Sequence, residues 1–529
     1  MHDPTRIIPS TFYFYLVLVF AACSRGTTDQ SVEFEGVAIS NLSGRALAEA
    51  HCSRCHLYVA PEILPKSVWK KDVLPAMGHR MGIYSHPATR DSVYAASNSE
   101  AIIRQINLYP ETPVIAIEDW KKLVAYYLEQ APDTVLPYVR EQPIRIGLKH
   151  FKYREPSVNN RPPLTSMVKI LDKQQGVVFG DAKGPRNTLT FLHPSLQENF
   201  KLYTQVTPVQ LHQKDQEMYL TASGRGVFPT DHAQGALLRI SKNEGNYRVS
   251  GVIAPNLQRP VHTSFGDLDG DGREDMVVCE FGNETGKLAW YHNNGRGGYD
   301  QRLIHQKPGA ITSIIKDANG DGLPDIYVLM AQGDEGVFLY ENQGGGQFLE
   351  KRLLTFSPLH GSQYIELADF NGDGYDDLVY VAGDNADKTP ILKKYHGIYI
   401  YLNNGKGAFE QAFFYPLNGA YKAIARDFDQ DGDLDIAAIS FFPDYIRYPE
   451  ESFVYLENKG NLKFNDFTFS QASKGRWMVM DSGDLDGDGD IDLVLGSFVY
   501  FLPAGDTTGL GKKWLETSPS MVLLENTIR

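Results

Sequence analysis

The stretch DLDGDGRED, residues 267–275, places oxygen-bearing side chains at its first, third, fifth and ninth positions around two glycines. The same pattern returns as DANGDGLPD (317–325), DFNGDGYDD (369–377), DFDQDGDLD (427–435) and DLDGDGDID (484–492), with starts 50 to 58 residues apart. Each copy runs into an apolar segment: MVVCEF, IYVLM, LVYVAG, IAAISF or LVLGSF. A further apolar segment then ends in a turn, as in LAWYHNNG, VFLYENQG, IYIYLNNG and FVYLENKG. Short strands and turns recurring at this period mark the blades of a propeller.

Oxygens at positions 1, 3, 5 and 9, with a backbone carbonyl at 7 and a glycine at 6 to permit the turn, suit the hard cation calcium. An EF-hand would add a bidentate Glu at position 12. Here that position holds Val278, Val328, Tyr380, Ala438 or Leu495, each inside the apolar segment. A single loop of this kind is equally an Asx-rich turn without metal; five in register point to calcium. The repeats resemble the FG-GAP or VCBS repeats of integrin α-subunit propellers and of bacterial surface proteins, over roughly residues 160–529. The resemblance implies a structural metal that staples the turn between the first two strands of a blade. It carries the ligand role to Asp267, Asp269, Asp271 and Asp275, to Asp317, Asn319, Asp321 and Asp325, and to Asp369, Asn371, Asp373 and Asp377. In the last two loops the role falls to Asp427, Asp429, Asp431 and Asp435, where Gln430 replaces the usual Gly, and to Asp484, Asp486, Asp488 and Asp492. Eighteen of these side chains are carboxylates. Five calcium ions would bring the formal net charge of −14 to about −4.

Two degenerate copies precede the five. VQLHQKDQEMYLTASGRGVF (209–228) with GALLRISKNEGNY repeats the strand pattern without a metal loop, and VKILDKQQGVVFGDAKG (168–184) with NTLTFLHP does so again. Seven blades are expected. The chain ends at MVLLENTIR, the counterpart of VFLYENQ, so the last blade lacks an outer strand. LKHFKYREPSV (148–158) resembles outer strands and is expected to close the ring there, which would also remove an open edge. RPPL (161–164) then leads into the first blade.

Ahead of the repeats stands AEAHCSRCHLYVAP (48–61), whose C-x-x-C-H is the attachment signature of c-type haem. A zinc knuckle would need a second ligand pair, and none follows. A thioredoxin-like pair would follow a strand, whereas GRALAEAHCSRCH reads as a helix. AIEDWKKLVAYYLEQAP carries Trp120, Leu123, Val124, Tyr127 and Leu128 on one helical face. Together the hook, Gly44 and Leu47 before it, KSVWKKDVLPAMGHRMG (66–82) after it and this helix resemble a class I cytochrome c. The resemblance implies thioether links at Cys52 and Cys55, proximal ligation by His56 and a distal thioether from a loop at Met77. Met81, His79 and His86 are the competitors for the sixth position.

TFYFYLVLVFAAC (11–23) is too short for a stable bilayer span and ends in small residues, as a secretory signal does. Ala21-Ala22-Cys23 resembles a lipobox, with Cys23 the acylated residue. Cys279 lies in an apolar run and reads as a buried small hydrophobe. The negative charge argues against a nucleic-acid partner. The expected layout is multidomain: signal peptide 1–22, tether 23–40, a small all-α cytochrome c domain 41–135, linker 136–147 and an all-β seven-bladed propeller 148–529. The expected role is an exported, mono-haem electron carrier, held through its lipid anchor at a bacterial membrane, the outer one favoured, on the periplasmic or cell-surface side. A redox partner protein would dock on the propeller. A propeller-based oxidoreductase, quinoprotein-like or other, that feeds its own haem is one alternative. An adhesive or glycan-binding propeller with an ancillary haem is another.

Overall fold

The computed structural model describes residues 37–243, 246–386, 391–500 and 506–528 of the 529-residue chain. The signal segment, Cys23 and nearly all of the tether lie outside the described residues. From residue 165 onward the strands form a seven-bladed propeller. Blade I comprises Thr165–Leu171, Gly176–Asp181, Asn187–Leu192 and Glu198–Thr204, antiparallel and in chain order from the axis outward. Blades II to VI repeat this order over 208–257, 260–305, 310–355, 362–416 and 420–468. Blade VII takes three strands from 477–526, and its outer strand is Phe151–Arg154, paired antiparallel with Met521–Asn526 so that Phe151 faces Asn526. This pairing joins the two ends of the propeller by backbone hydrogen bonds and covers the edge that Met521–Asn526 would otherwise leave open.

The second strand of each blade reads as a continuous apolar run rather than an alternating one. Asp275–Glu280, Asp325–Met330, Asp377–Ala382, Asp435–Ser440 and Asp492–Ser497 are buried along their whole length. Both faces of each sheet are covered by neighbouring blades, which removes the need for a polar side. All seven inner strands shift register after the first residue, a bulge that increases twist where the blades converge. Blades I and II replace the metal loop with tight turns. Lys173 and Gln174 both take positive φ (57° and 53°), as does Asp215 (52°). One helix not anticipated from the repeats, Leu510–Thr517, is inserted ahead of the third strand of blade VII, with Trp514 fully buried.

The region before the propeller holds six α-helices: α1 (Gly44–Cys52), α2 (Lys66–Val68), α3 (Leu74–Arg80), α4 (Pro87–Ala95), α5 (Glu100–Gln105) and α6 (Ile117–Gln130). α1 crosses α6 at Gly44, where a Cβ would lie 2.4 Å from the Lys122 carbonyl oxygen, so a side chain is excluded there. Leu47, Ala48, Val59, Leu64, Trp69, Leu123 and Tyr127 form the apolar cluster between them. Trp69 Nε1 donates to the Pro61 carbonyl (2.8 Å) and the Tyr127 hydroxyl to the Val59 carbonyl (2.7 Å).

The helical region over 41–135 packs against the propeller as well as on itself. Its apolar cluster includes Leu359 and Ile391 of the propeller, because its own few short helices leave that side uncovered. Arg80 makes a two-pronged ion pair with Glu284 (2.7 and 2.8 Å), and Ser99 Oγ and the Asn98 carbonyl bond to Asp231 N and His232 Nε2. The stretch 136–147, expected as a linker, is packed too. Ile144 is buried between blades V and VI, and Arg145–Ile146 pairs in parallel with the outer strand of blade VI. The Arg140 guanidinium, 4% exposed, bonds to Glu451 Oε1 (2.9 Å), to the Tyr415 hydroxyl (2.8 Å) and to the Pro416 carbonyl (3.0 Å).

Glu451 is fully buried, and its second oxygen accepts from Asn418 Nδ2 at 3.0 Å. Removing its cationic partner leaves a buried carboxylate uncompensated. Arg140→Ala should therefore lower unfolding stability by about 3–5 kcal/mol in urea titrations, and adding Glu451→Gln should recover part of that loss.

Candidate functional site

Loop position 9 is the first residue of each second strand, and there the sequence puts Asp275, Asp325, Asp377, Asp435 and Asp492, all essentially without solvent exposure. One oxygen of each accepts the amide of loop position 2: Leu268 (3.2 Å), Ala318 (2.8 Å), Phe370 (2.9 Å), Phe428 (3.2 Å) and Leu485 (3.0 Å). The other accepts the amide of an asparagine at the end of the third strand: Asn293, Asn342, Asn403, Asn458 or Asn526, at 2.7 to 2.9 Å. Burial raises the pKa of all five carboxyls, Asp435 to about 7 and Asp492 to about 6.

Those asparagines escaped the sequence reading, although each stands at the same place in the turns HNNG, ENQG, LNNG, ENKG and ENTI. Each side-chain amide donates to the carbonyl of loop position 8, as Asn342 does to Pro324 (3.0 Å) and Asn458 to Leu434 (3.0 Å). Two reach a neighbouring blade as well. Asn342 Nδ2 donates to the Leu268 carbonyl and Asn526 Nδ2 to the Phe428 carbonyl, both at 2.8 Å.

The first aspartate of each loop receives loop amides: Asp267 from Gly270, Asp271 and Gly272, and Asp317 and Asp369 likewise from the glycines at positions 4 and 6. Gln430 adopts φ 57°, the left-handed conformation that glycine takes at this position in the other four loops, at a cost of about 1 kcal/mol. Oxygens of Asp267, Asp269 and Asp275 lie within 4.8 Å of one another, as do those of Asp427, Asp429 and Asp435 and those of Asp484, Asp486 and Asp488. Loops IV and V differ in carrying Asn319 and Asn371, whose amides donate to Asp321 (3.0 Å) and Asp373 (2.9 Å). Asp269 Oδ1 and both oxygens of Asp490 are buried without a hydrogen-bond partner.

The C-x-x-C-H residues sit at the other end of the molecule. α1 ends at Cys52, whose thiol pKa is pushed up by burial, and Cys55 is exposed one turn later. His56 Nδ1 lies 2.8 Å from the Leu57 carbonyl oxygen, which makes Nδ1 the donating nitrogen and leaves the lone pair on Nε2. The segment expected as a Met77 loop is helical instead. A π-turn over Trp69–Val73 runs straight into α3, and Pro75, which has no N–H to donate, stands just after that π-turn. Met77 and Met81 are both half-buried on or beside α3. The competing histidines have other engagements: His86 caps α4 by accepting from Ala88 N (3.1 Å), and the His79 ring stacks on Tyr84.

Residues 267–328 and 317–380 match the family described as FG-GAP-like repeat, so the chain carries such repeats on its propeller. A T-cell immunomodulatory protein homolog of Plasmodium falciparum (isolate 3D7) is 26% identical over 167 residues, covering 28% of this chain. The chain spans 22% of that relative's length. Among solved structures, virginiamycin B lyase from Staphylococcus aureus aligns with a TM-score of 0.44 at 11% identity, covering 72% of this chain and all of that one. The periplasmic gluconolactonase of Pseudomonas aeruginosa aligns with a TM-score of 0.39 at 11% identity, covering 61% and 93%.

The inter-blade bond makes one asparagine more consequential than another. Asn342→Ala strands the buried Leu268 and Pro324 carbonyls and should cost about 2–3 kcal/mol. Asn293→Ala strands one carbonyl, that of Glu274, and should cost about 1 kcal/mol; the glycine amide that bonds to the side-chain oxygen is released in both variants, which are compared by chemical denaturation.

Proposed function

We propose that this FG-GAP-repeat propeller is the calcium-stapled platform of an exported mono-haem electron carrier. The observation that carries the electron-transfer reading is the hook itself. Two thiols and a histidine at the end of α1 have the histidine's Nδ1 tied to a backbone carbonyl, the second-shell bond a metal-ligating imidazole needs. The donor set fits haem c: Cys52 and Cys55 would hold the vinyl carbons, and His56 Nε2 and the Met77 sulfur would bind the iron. Bound there, haem supplies one-electron transfer, and His/Met ligation raises its potential relative to two histidines.

Calcium fits the loops on the chemistry of the donors and on the orphaned oxygens. Asp490 is 2% exposed and has no hydrogen-bond partner for either oxygen, beside the carboxylates of Asp488 and Asp492. Buried carboxylates at such density call for a bound cation. The lipid anchor at Cys23 and a position on the periplasmic or cell-surface side of a bacterial membrane belong to the same proposal, as does a redox partner protein.

Two outcomes are expected. Protein matured in a c-type cytochrome host should carry covalent haem that Cys52→Ala/Cys55→Ala abolishes, and Met77→Ala should lose the methionine–iron charge-transfer band; retention of that band would move the sixth ligand to Met81. Chelation with EDTA should lower the melting temperature by several degrees, with recovery on adding calcium.

A further inference from the structure

Blade III differs from the other metal-loop blades at the residue just before its asparagine. There the chain places His292, where blades IV to VII have Glu341, Leu402, Glu457 and Glu525. His292 Nε2 stands 2.8 Å from Asp269 Oδ2 and 3.9 Å from Asp271 Oδ2. One ligand atom from each of the three residues lies within 4.8 Å of the others. Asp269 also belongs to the neighbouring set with Asp267 and Asp275. Its Oδ1 and the Nδ1 of His292 are buried without hydrogen-bond partners.

Blade VI shows what this second position selects. Beside the same loop positions 3 and 5, Lys459 Nζ lies 3.7 Å from both Asp429 and Asp431 and 3.3 Å from Glu457. The chain itself supplies a cation there. In blade III Asp271 is met by Arg273, which is 44% exposed, and loop III keeps four carboxylates where loops IV and V keep three. One divalent ion at the loop's own position leaves two of those negative charges, of which Arg273 offsets one.

We propose that blade III holds a second cation position, next to the calcium position and sharing Asp269 and Asp271 with it, formed by Asp269, Asp271 and His292. Its ligand is a divalent transition ion that accepts imidazole nitrogen together with carboxylate oxygen, zinc in the first instance. Calcium is selected against because it takes oxygen ligands almost exclusively. Arg273 swings to solvent when the ion binds. The proposal rests on the calcium reading only for the occupant of the adjacent position.

The test is calorimetric titration of calcium-saturated full-length protein with zinc chloride, and separately with cobalt chloride to read visible absorption. Wild type should bind one equivalent of zinc in the presence of millimolar calcium. His292→Gln, which keeps a polar group of similar size, should lose affinity about tenfold or more while keeping its calcium-dependent rise in melting temperature. Arg273→Ala should bind zinc more tightly. Zinc binding equal in wild type and His292→Gln, or zinc displaced in proportion to added calcium, would overturn the second position. Loss of the calcium-dependent thermal shift in wild type would instead count against the calcium reading and leave the zinc titration to be read by itself.

Discussion

Asp275, Asp325, Asp377, Asp435 and Asp492 each accept one amide from the loop before them and another from the asparagine at the end of the third strand. That double acceptance fixes the turn between the first two strands and the register of the third, in residues that water does not reach. A buried carboxylate is costly unless hydrogen bonds and a counter-charge surround it. The first, third and fifth loop positions bring more negative charge to the same point. Five blades are thus built around a charge the loop cannot neutralise by itself, which is the physical case for a cation at each.

The strand order divides the molecule into two faces. Loops between first and second strands carry the carboxylates; loops between second and third strands, with the connectors between blades, form the opposite face. The helices dock on that second face, through Glu284, Asp231, His232, Leu359 and Ile391. Asp231 organises the contact: its buried Oδ1 accepts the amides of Asn283, Glu284 and Thr285 and the Thr285 hydroxyl, and so presents Glu284 to Arg80. The C-x-x-C-H segment is therefore held against a rigid platform rather than swung on a linker, and the Arg140–Glu451 pair continues that attachment down the side of blades V and VI.

Much of this was legible one repeat at a time. The period of the loops, the apolar second strands and the missing outer strand of blade VII all follow from local pattern, because each is set by residues within a few positions of one another. The hook and the face of α6 were legible for the same reason. The asparagines were in plain view in five turns, yet their role depends on carboxylates and carbonyls 17 to 35 residues away, and in two cases on the blade before. The helical form of the Met77 segment was missed because proline and glycine flank the methionine; the π-turn ahead of Pro75 lets the helix continue.

The sequence alone determined the repeat, its carboxylate loops and the C-x-x-C-H motif, since each is short-range chemistry written into nine residues or fewer. Only the tertiary structure decided that the helices pack against the propeller as well as on themselves, that residues 136–147 are anchored at Arg140 and Ile144, and that His292 faces a carboxylate pair while Lys459 fills the equivalent place in blade VI. Those outcomes hang on contacts between residues tens to hundreds of positions apart. Burial and charge balance at such contacts are properties of the assembled ring, and no local stretch of chain encodes them.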